Sequence, residues 1–200
     1  MRVVSFHTPD PIYSDYARRL AESCRAHNLP YTIVSLDCQG LDWVEITLLK
    51  PSFLLHCMRI HACPLLWIDA DGYVAAPPAA LSHAPDFGIY AHERRKRSWT
   101  PIGRGVETLP ETWPDTRWFL SGTVFVRNTK PAIDLLLAWK RLAREQPRGY
   151  EQLLCQYAWC EVRPNTLWLP ETYCSIYGRA KPPVICHDLA SRRRRGVRRA

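Results

Sequence analysis

Two aspartates, Asp69 and Asp71, stand directly behind the apolar run Pro64-Leu65-Leu66-Trp67-Ile68 and are closed off by Gly72. A run that hydrophobic reads as a buried strand, in which residues i and i+2 project to the same side. Both carboxylates then leave the C-terminal edge of the strand together, while Ala70 turns the other way. Open α/β sheets bind ligands in the crevice at the carboxyl ends of their strands. Two acids placed there suit a hard divalent cation, which takes oxygen ligands and shares them with substrate phosphates. The same letters can also mark a plain strand-end turn, since Asp and Gly are common turn residues.

The elements that must position this pair are legible on either side of it. Residues 2–7 are β-branched and then aromatic, as a first strand should be. Thr8-Pro9-Asp10-Pro11 breaks that strand, and Tyr16, Leu20 and Cys24 recur at helical spacing up to Asn28. Residues 31–36 form a second strand, and residues 37–42 a loop. Lys50-Pro51 opens a second helix that runs through His61, with proline in the first turn where its missing N–H costs least. Further strands are expected at 87–91, 118–127, 166–169 and 184–186, with helices at 130–144 and 150–160. Strand and helix alternate, which predicts a single α/β domain: a mostly parallel, Rossmann-like central sheet with right-handed crossovers, flanked by helices. Between 93 and 116 periodicity disappears, and a loop of that length in a compact domain is functional or mobile.

Two hundred residues with 46% hydrophobic content suffice for one real core. No apolar stretch approaches the roughly 20 residues that span a bilayer. The start Met1-Arg2-Val3-Val4-Ser5-Phe6-His7 is too short and polar for a secretory signal, so a cytoplasmic location is expected. The eight cysteines include no Cys-x-x-Cys pair and read as reduced thiols. His56, Cys57, His61 and Cys63 crowd together, but zinc ligands normally come in pairs from two separated segments, and core-filling thiols fit better.

The formal charge of +8 is unevenly placed. Six of the 27 basic residues are Arg192, Arg193, Arg194, Arg195, Arg198 and Arg199, which form a tail (192–200) behind the domain (1–191). Arg94, Arg95, Lys96 and Arg97 make a second cluster; without both groups 17 basic residues face 19 acidic ones. A near-neutral body with two basic patches attracts polyanions, unless the tail is simply solvated.

Taken in order, these segments resemble the nucleotide-diphospho-sugar transferases of GT-A fold. The resemblance runs from Val3 to about Ser191. It rests on Lys50-Pro51-Ser52-Phe53 heading a helix and on Leu66-Trp67-Ile68-Asp69-Ala70-Asp71-Gly72 as a DxD motif. The segment from Leu120-Ser121-Gly122-Thr123 to Asn128-Thr129 is similar to the family's NSG…NT strand, and Trp139-Lys140-Arg141, Glu151-Gln152, Leu169-Pro170 and His187-Asp188 follow in order. The resemblance implies a donor sugar nucleotide, such as a UDP-sugar, whose departing diphosphate is neutralised by a divalent cation. Asp71 would bind that ion directly, Asp69 would touch it or the donor ribose, and His187 would be the third protein ligand or else an exposed histidine near the chain end. Imidazole beside carboxylates favours manganese over calcium, with magnesium as the other candidate.

By the same resemblance Phe6, His7 and Thr8 end the strand that seats base and ribose. Phe6 can stack on uracil or fill the core. Lys50 or Arg59 would meet the diphosphate, or else serve as solvated helix charges. Ser121 and Gly122 would lie beneath the sugar, glycine allowing close backbone approach. Leu120 replaces the family's usual asparagine, which removes one polar contact. Glu151 is the candidate carboxylate near the anomeric carbon, with Asp188 as the rival base. For the acceptor, the basic clusters with Trp99 or Trp113 between them would neutralise phosphates and stack on bases. That points to a hydroxymethylated pyrimidine in DNA, of the kind that some bacteriophage enzymes glycosylate. Two readings compete with it: a saccharide or lipid-linked acceptor on an anionic membrane, and a non-catalytic nucleic-acid-binding module.

Overall fold

The computed structural model describes residues 1–93 and 117–189. The cluster Arg94, Arg95, Lys96 and Arg97, both Trp99 and Trp113, and the arginine tail 192–199 lie outside the described residues. In chain order the elements are β1 (Arg2–His7), α1 (Pro11–Ala26), β2 (Tyr31–Ser35), α2 (Trp43–Thr47), α3 (Lys50–His61), β3 (Leu65–Ile68) and β4 (Gly72–Val74). After these come β5 (Phe87–Glu93), β6 (Arg117–Val126), α4 (Lys130–Glu145), α5 (Glu151–Val162), β7 (Thr166–Leu169), β8 (Ser175–Ile176) and β9 (Ile185–His187).

Six strands form the central sheet in the order β2-β1-β3-β6-β5-β7, and β4-β9-β8 form a small second sheet. In the central sheet β1 is parallel to β2 and β3, and β5 is parallel to β7, whereas β6 is antiparallel to both its neighbours. The period of two along β1 and β3 builds a core on each face. Val4, Leu65 and Trp67 pack with Phe53, Leu54 and Met58 of α3 and with Leu135 and Trp139 of α4. Val3, Leu66 and Ile68 pack against Leu20 and Cys24 of α1 and against Val74 and Ile185 of the small sheet. Strands covered on both faces read as continuous apolar runs, which is why β3 shows no alternation in sequence. No helix among the described residues is long and apolar enough to cross a membrane.

The local signals work where they were expected. Asp10 caps α1 by accepting from the Tyr13 backbone N–H, and Pro51 and Pro131 occupy the first turns of α3 and α4. Asp42 and Glu45 form a capping box on α2, a five-residue helix that follows the expected loop at 37–42 in a stretch where the sequence suggests no element.

Candidate active site

The C-terminal ends of β1 and β3, the N-termini of α3 and α5, the middle of β6 and the end of β9 converge on one cavity. A slip in the β5–β6 register creates its floor. Ile89 faces Val124 and the next residue, Tyr90, faces Leu120, so Ser121, Gly122 and Thr123 have no partner on β5. Bulges of this sort commonly re-aim groups beside active sites. On the side left open by β5, Ser121 N–H donates to Gln152 Oε1 at 3.0 Å, while on the other edge Gly122 C=O extends the β3 ladder by accepting from Asp69 N–H at 2.8 Å.

Over this floor lies Lys50, whose side chain is 4% exposed. Its ammonium donates to the Ser121 carbonyl at 3.0 Å and to the Ser121 hydroxyl at 3.2 Å. It also pairs with Asp69 Oδ1 at 3.1 Å and Glu151 Oε1 at 3.3 Å. The Ser121 hydroxyl in turn donates to Glu151 Oε2 at 2.6 Å. Burial works against the Lys50 charge, yet the pull of Asp69 and Glu151 outweighs it and holds the ammonium's pKa above its ordinary value. Burial raises the Glu151 pKa, with Lys50 opposing that rise.

The two aspartates both line the cavity, as the i, i+2 spacing requires, but they face different partners. Asp69 Oδ1 accepts from Trp67 Nε1 at 2.7 Å as well as from Lys50. Asp71 Oδ1 instead stands 3.7 Å from His187 Nδ1, with the imidazole 3% exposed. Strand β9 brings His187 there by pairing it with Gly72 of β4. The ring occupies a slot between two glycines. A Cβ on Gly122 would meet three of its atoms at 3.1–3.4 Å, and one on Gly72 would meet Cε1 at 3.1 Å. Gly122 therefore makes room for the histidine, a use distinct from the sugar contact that its motif implies. On the far side of the ring Nε2 lies 2.9 Å from the Thr123 hydroxyl. If Nε2–H donates there, the Nδ1 lone pair faces Asp71.

The spacing of this pair is compatible with a divalent ion between its two atoms. The 3.7 Å gap exceeds hydrogen-bonding distance yet is below twice a metal–ligand bond of roughly 2.1 Å. Among the described residues no three His, Cys, Asp or Glu side chains stand close enough to hold an ion alone, His56, Cys57, His61 and Cys63 included. Substrate or water would complete the coordination of such an ion, as for metals that ride on substrate phosphates. Thr123→Val keeps volume but removes the hydroxyl that orients the ring. Manganese affinity, read by titration of free ion in electron paramagnetic resonance, should fall about 10–100-fold.

Across 97% of this chain and 96% of the other, the fold is similar to the crystal structure of a glycosyltransferase involved in the glycosylation of the major capsid of PBCV-1. The TM-score is 0.70 at 16% sequence identity. The chain shares the architecture of that glycosyltransferase. No family model and no curated protein matches the sequence. At 16% identity the likeness speaks for architecture, so the chemistry has to be argued from the side chains.

Seen on that fold, the residues expected from the sequence divide. His7, Thr8, Lys50, Asp69, Asp71, Ser121, Gly122, Glu151 and His187 all line the cavity. Phe6 reaches its wall but is 7% exposed and packs edge-on against Phe53 and Trp67, so its ring is spent in the core. The Thr8 hydroxyl donates to Asp10, supporting the cap of α1. Asp188 is not among the lining residues: it turns away and pairs with Arg19 of α1 at 2.7 Å, which removes the geometric basis for a catalytic base there. Arg59 is exposed on α3 and does not line the cavity. The structure adds Trp43, Tyr13, Tyr150, Gln152 and Cys174 to the lining. Gln152 was readable from its motif. Trp43 was not, because five residues of α2 are too few to show a period. Burial pushes the Cys174 thiol up to about 12, so it stays protonated at neutral pH and is no nucleophile.

Proposed function

We propose that this chain is a metal-dependent glycosyltransferase of GT-A type, moving a sugar from a nucleotide-diphosphate donor of the UDP-sugar class to a hydroxyl acceptor. The observation that carries the reading is the Asp71–His187 pair, set 3.7 Å apart on the wall of a cavity at the carboxyl edge of the sheet. The charge of that cavity supports it. Among the described residues three carboxylates (Asp69, Asp71 and Glu151) line it against one ammonium, and the Lys50 charge is already engaged by protein oxygens. That balance is unfavourable for an anionic diphosphate and favours a cation that accompanies it. Manganese or magnesium held by Asp71 and His187 would supply the neutralisation that a departing diphosphate needs.

The chain's own groups take the remaining roles. Asp69 commits one oxygen to Trp67 and Lys50, leaving Oδ2 for a ribose hydroxyl. Glu151, at the start of α5 beside Ser121, is the carboxylate at the sugar end. Since Phe6 is packed in the core, Trp43, 39% exposed on the same cavity, is the aromatic placed to cover the base. Trp43→Ala should cost about 1–3 kcal/mol of uridine diphosphate affinity by calorimetry and leave manganese affinity unchanged.

For the acceptor, what supports hydroxymethylated DNA is the charge pattern of Arg94, Arg95, Lys96, Arg97 and the arginine tail, which favours a polyanion. The deciding experiment offers UDP-sugars, with manganese or with chelator, alongside hydroxymethylated DNA, plain DNA and saccharides. Manganese-dependent donor hydrolysis and transfer to the modified DNA are expected. Transfer to saccharides alone would move the acceptor assignment. Salt-sensitive DNA binding untouched by chelator or by Asp71→Ala, with no nucleotide effect, would leave only a binding module.

A further inference from the structure

Lys50 breaks two local rules at once. It is the first residue of α3, the end of a helix dipole where a cation is disfavoured, and its side chain is almost wholly buried. Such a lysine persists only if its surroundings compensate, and the compensation comes from three segments distant in sequence: Asp69 behind β3, Ser121 on β6 and Glu151 at the head of α5. An ammonium has three protons, and here four protein oxygens lie within 3.0–3.3 Å of it. These are hydrogen bonds to Ser121 and ion pairs to Asp69 and Glu151, so protein oxygens from three segments already engage it.

We propose that Lys50 is a positioning residue for sugar transfer. Its ammonium clamps the Asp69 carboxylate, the Ser121 floor and the Glu151 carboxylate into one unit, and does not itself bind the donor diphosphate. The proposal rests on the sugar-transfer reading above. The clamp does two jobs. It holds Asp69 Oδ1 inward, so that Oδ2 is the oxygen presented to ligand. It also sets a positive charge 3.3 Å from Glu151 Oε1, opposing the effect of burial on that carboxylate. The groups facing Glu151 are Lys50 from α3, Asp69 behind β3, Ser121 from β6, and Tyr150 and Cys155 from its own segment. Lys50 is the one cation among them, so its loss leaves Glu151 beside another carboxylate with nothing to offset it.

The test is Lys50→Met in the full chain, which keeps length and removes charge. With manganese and a UDP-sugar, kcat for donor turnover should fall about 100-fold while KM for the donor moves less than about threefold. At a pH where the wild type shows none, infrared spectra of Lys50→Met should show a protonated carboxylic-acid band that Lys50→Met/Glu151→Gln lacks. A KM raised about tenfold at preserved kcat would make Lys50 a diphosphate contact and overturn the proposal. So would loss of activity with no new acid band, which is what a purely structural role predicts. If Lys50→Met does not fold, the double variant, which removes both charges together, is read instead. Recovered folding with low kcat and preserved KM sustains the clamp, and a KM raised about tenfold defeats it. Wild-type protein that neither binds uridine diphosphate nor turns over a sugar nucleotide would sink the transferase reading, while the infrared comparison still decides the clamp.

Discussion

Asp71→Asn should lower manganese-dependent turnover of a UDP-sugar by about 10³-fold, the scale set by removing one electrostatic stabiliser of developing charge. The substitution keeps shape and one oxygen but takes away the charge opposite His187 Nδ1. It should also weaken manganese binding measured without donor, because a neutral amide is a poor ligand for a hard cation. Folding should survive: the turn is held by the Gly72 N–H on the Asp69 carbonyl and the Asp188 N–H on the Asp71 carbonyl, both backbone bonds. Turnover within about threefold of wild type would show that Asp71 is a turn residue and that the cavity needs no ion there.

Phe6→Ala should cost about 3–5 kcal/mol of stability in urea unfolding, because it empties the centre of an aromatic cluster. The Phe6 ring lies 5.3 Å from Phe53 and 5.2 Å from Trp67, and those two rings lie 5.9 Å apart, all edge to face. Such pairs add about 0.5–1.5 kcal/mol each beyond the buried area. Trp67 in turn donates to Asp69, so the cluster forms the bed on which the acid pair is laid. Measured on the folded fraction, uridine diphosphate affinity should change less than about threefold, in contrast to Trp43→Ala. Unchanged stability together with a collapse of nucleotide affinity would return Phe6 to the role of base platform.

The neighbour of glycosyltransferase fold and the ordered motifs agree on architecture, but motif spacing alone does not say which partner each residue meets. Lys50, Gly122 and Asp188 each sit where the resemblance puts them along the chain. In the structure Lys50 pairs with Asp69 and Glu151, the lack of a side chain at Gly122 leaves a slot for the His187 imidazole, and Asp188 is tied to Arg19.

Patterns of period two and 3.6, proline at helix starts and acids behind an apolar run are local. They were enough to place β1, β3, α3, α4 and α5 and to send Asp69 and Asp71 into one crevice. What no local pattern carries is register between distant strands. The slip opposite Ile89 that frees Ser121, Gly122 and Thr123, the pairing of Gly72 with His187, and the choice of Lys50 for Asp69 and of His187 for Asp71 all depend on which segment arrives beside which. Alternation along a strand decides the side on which a residue emerges. The partner it meets there is decided by packing across the sheet, where the loss of one hydrogen bond or the burial of one charge outweighs any intrinsic preference of the residue.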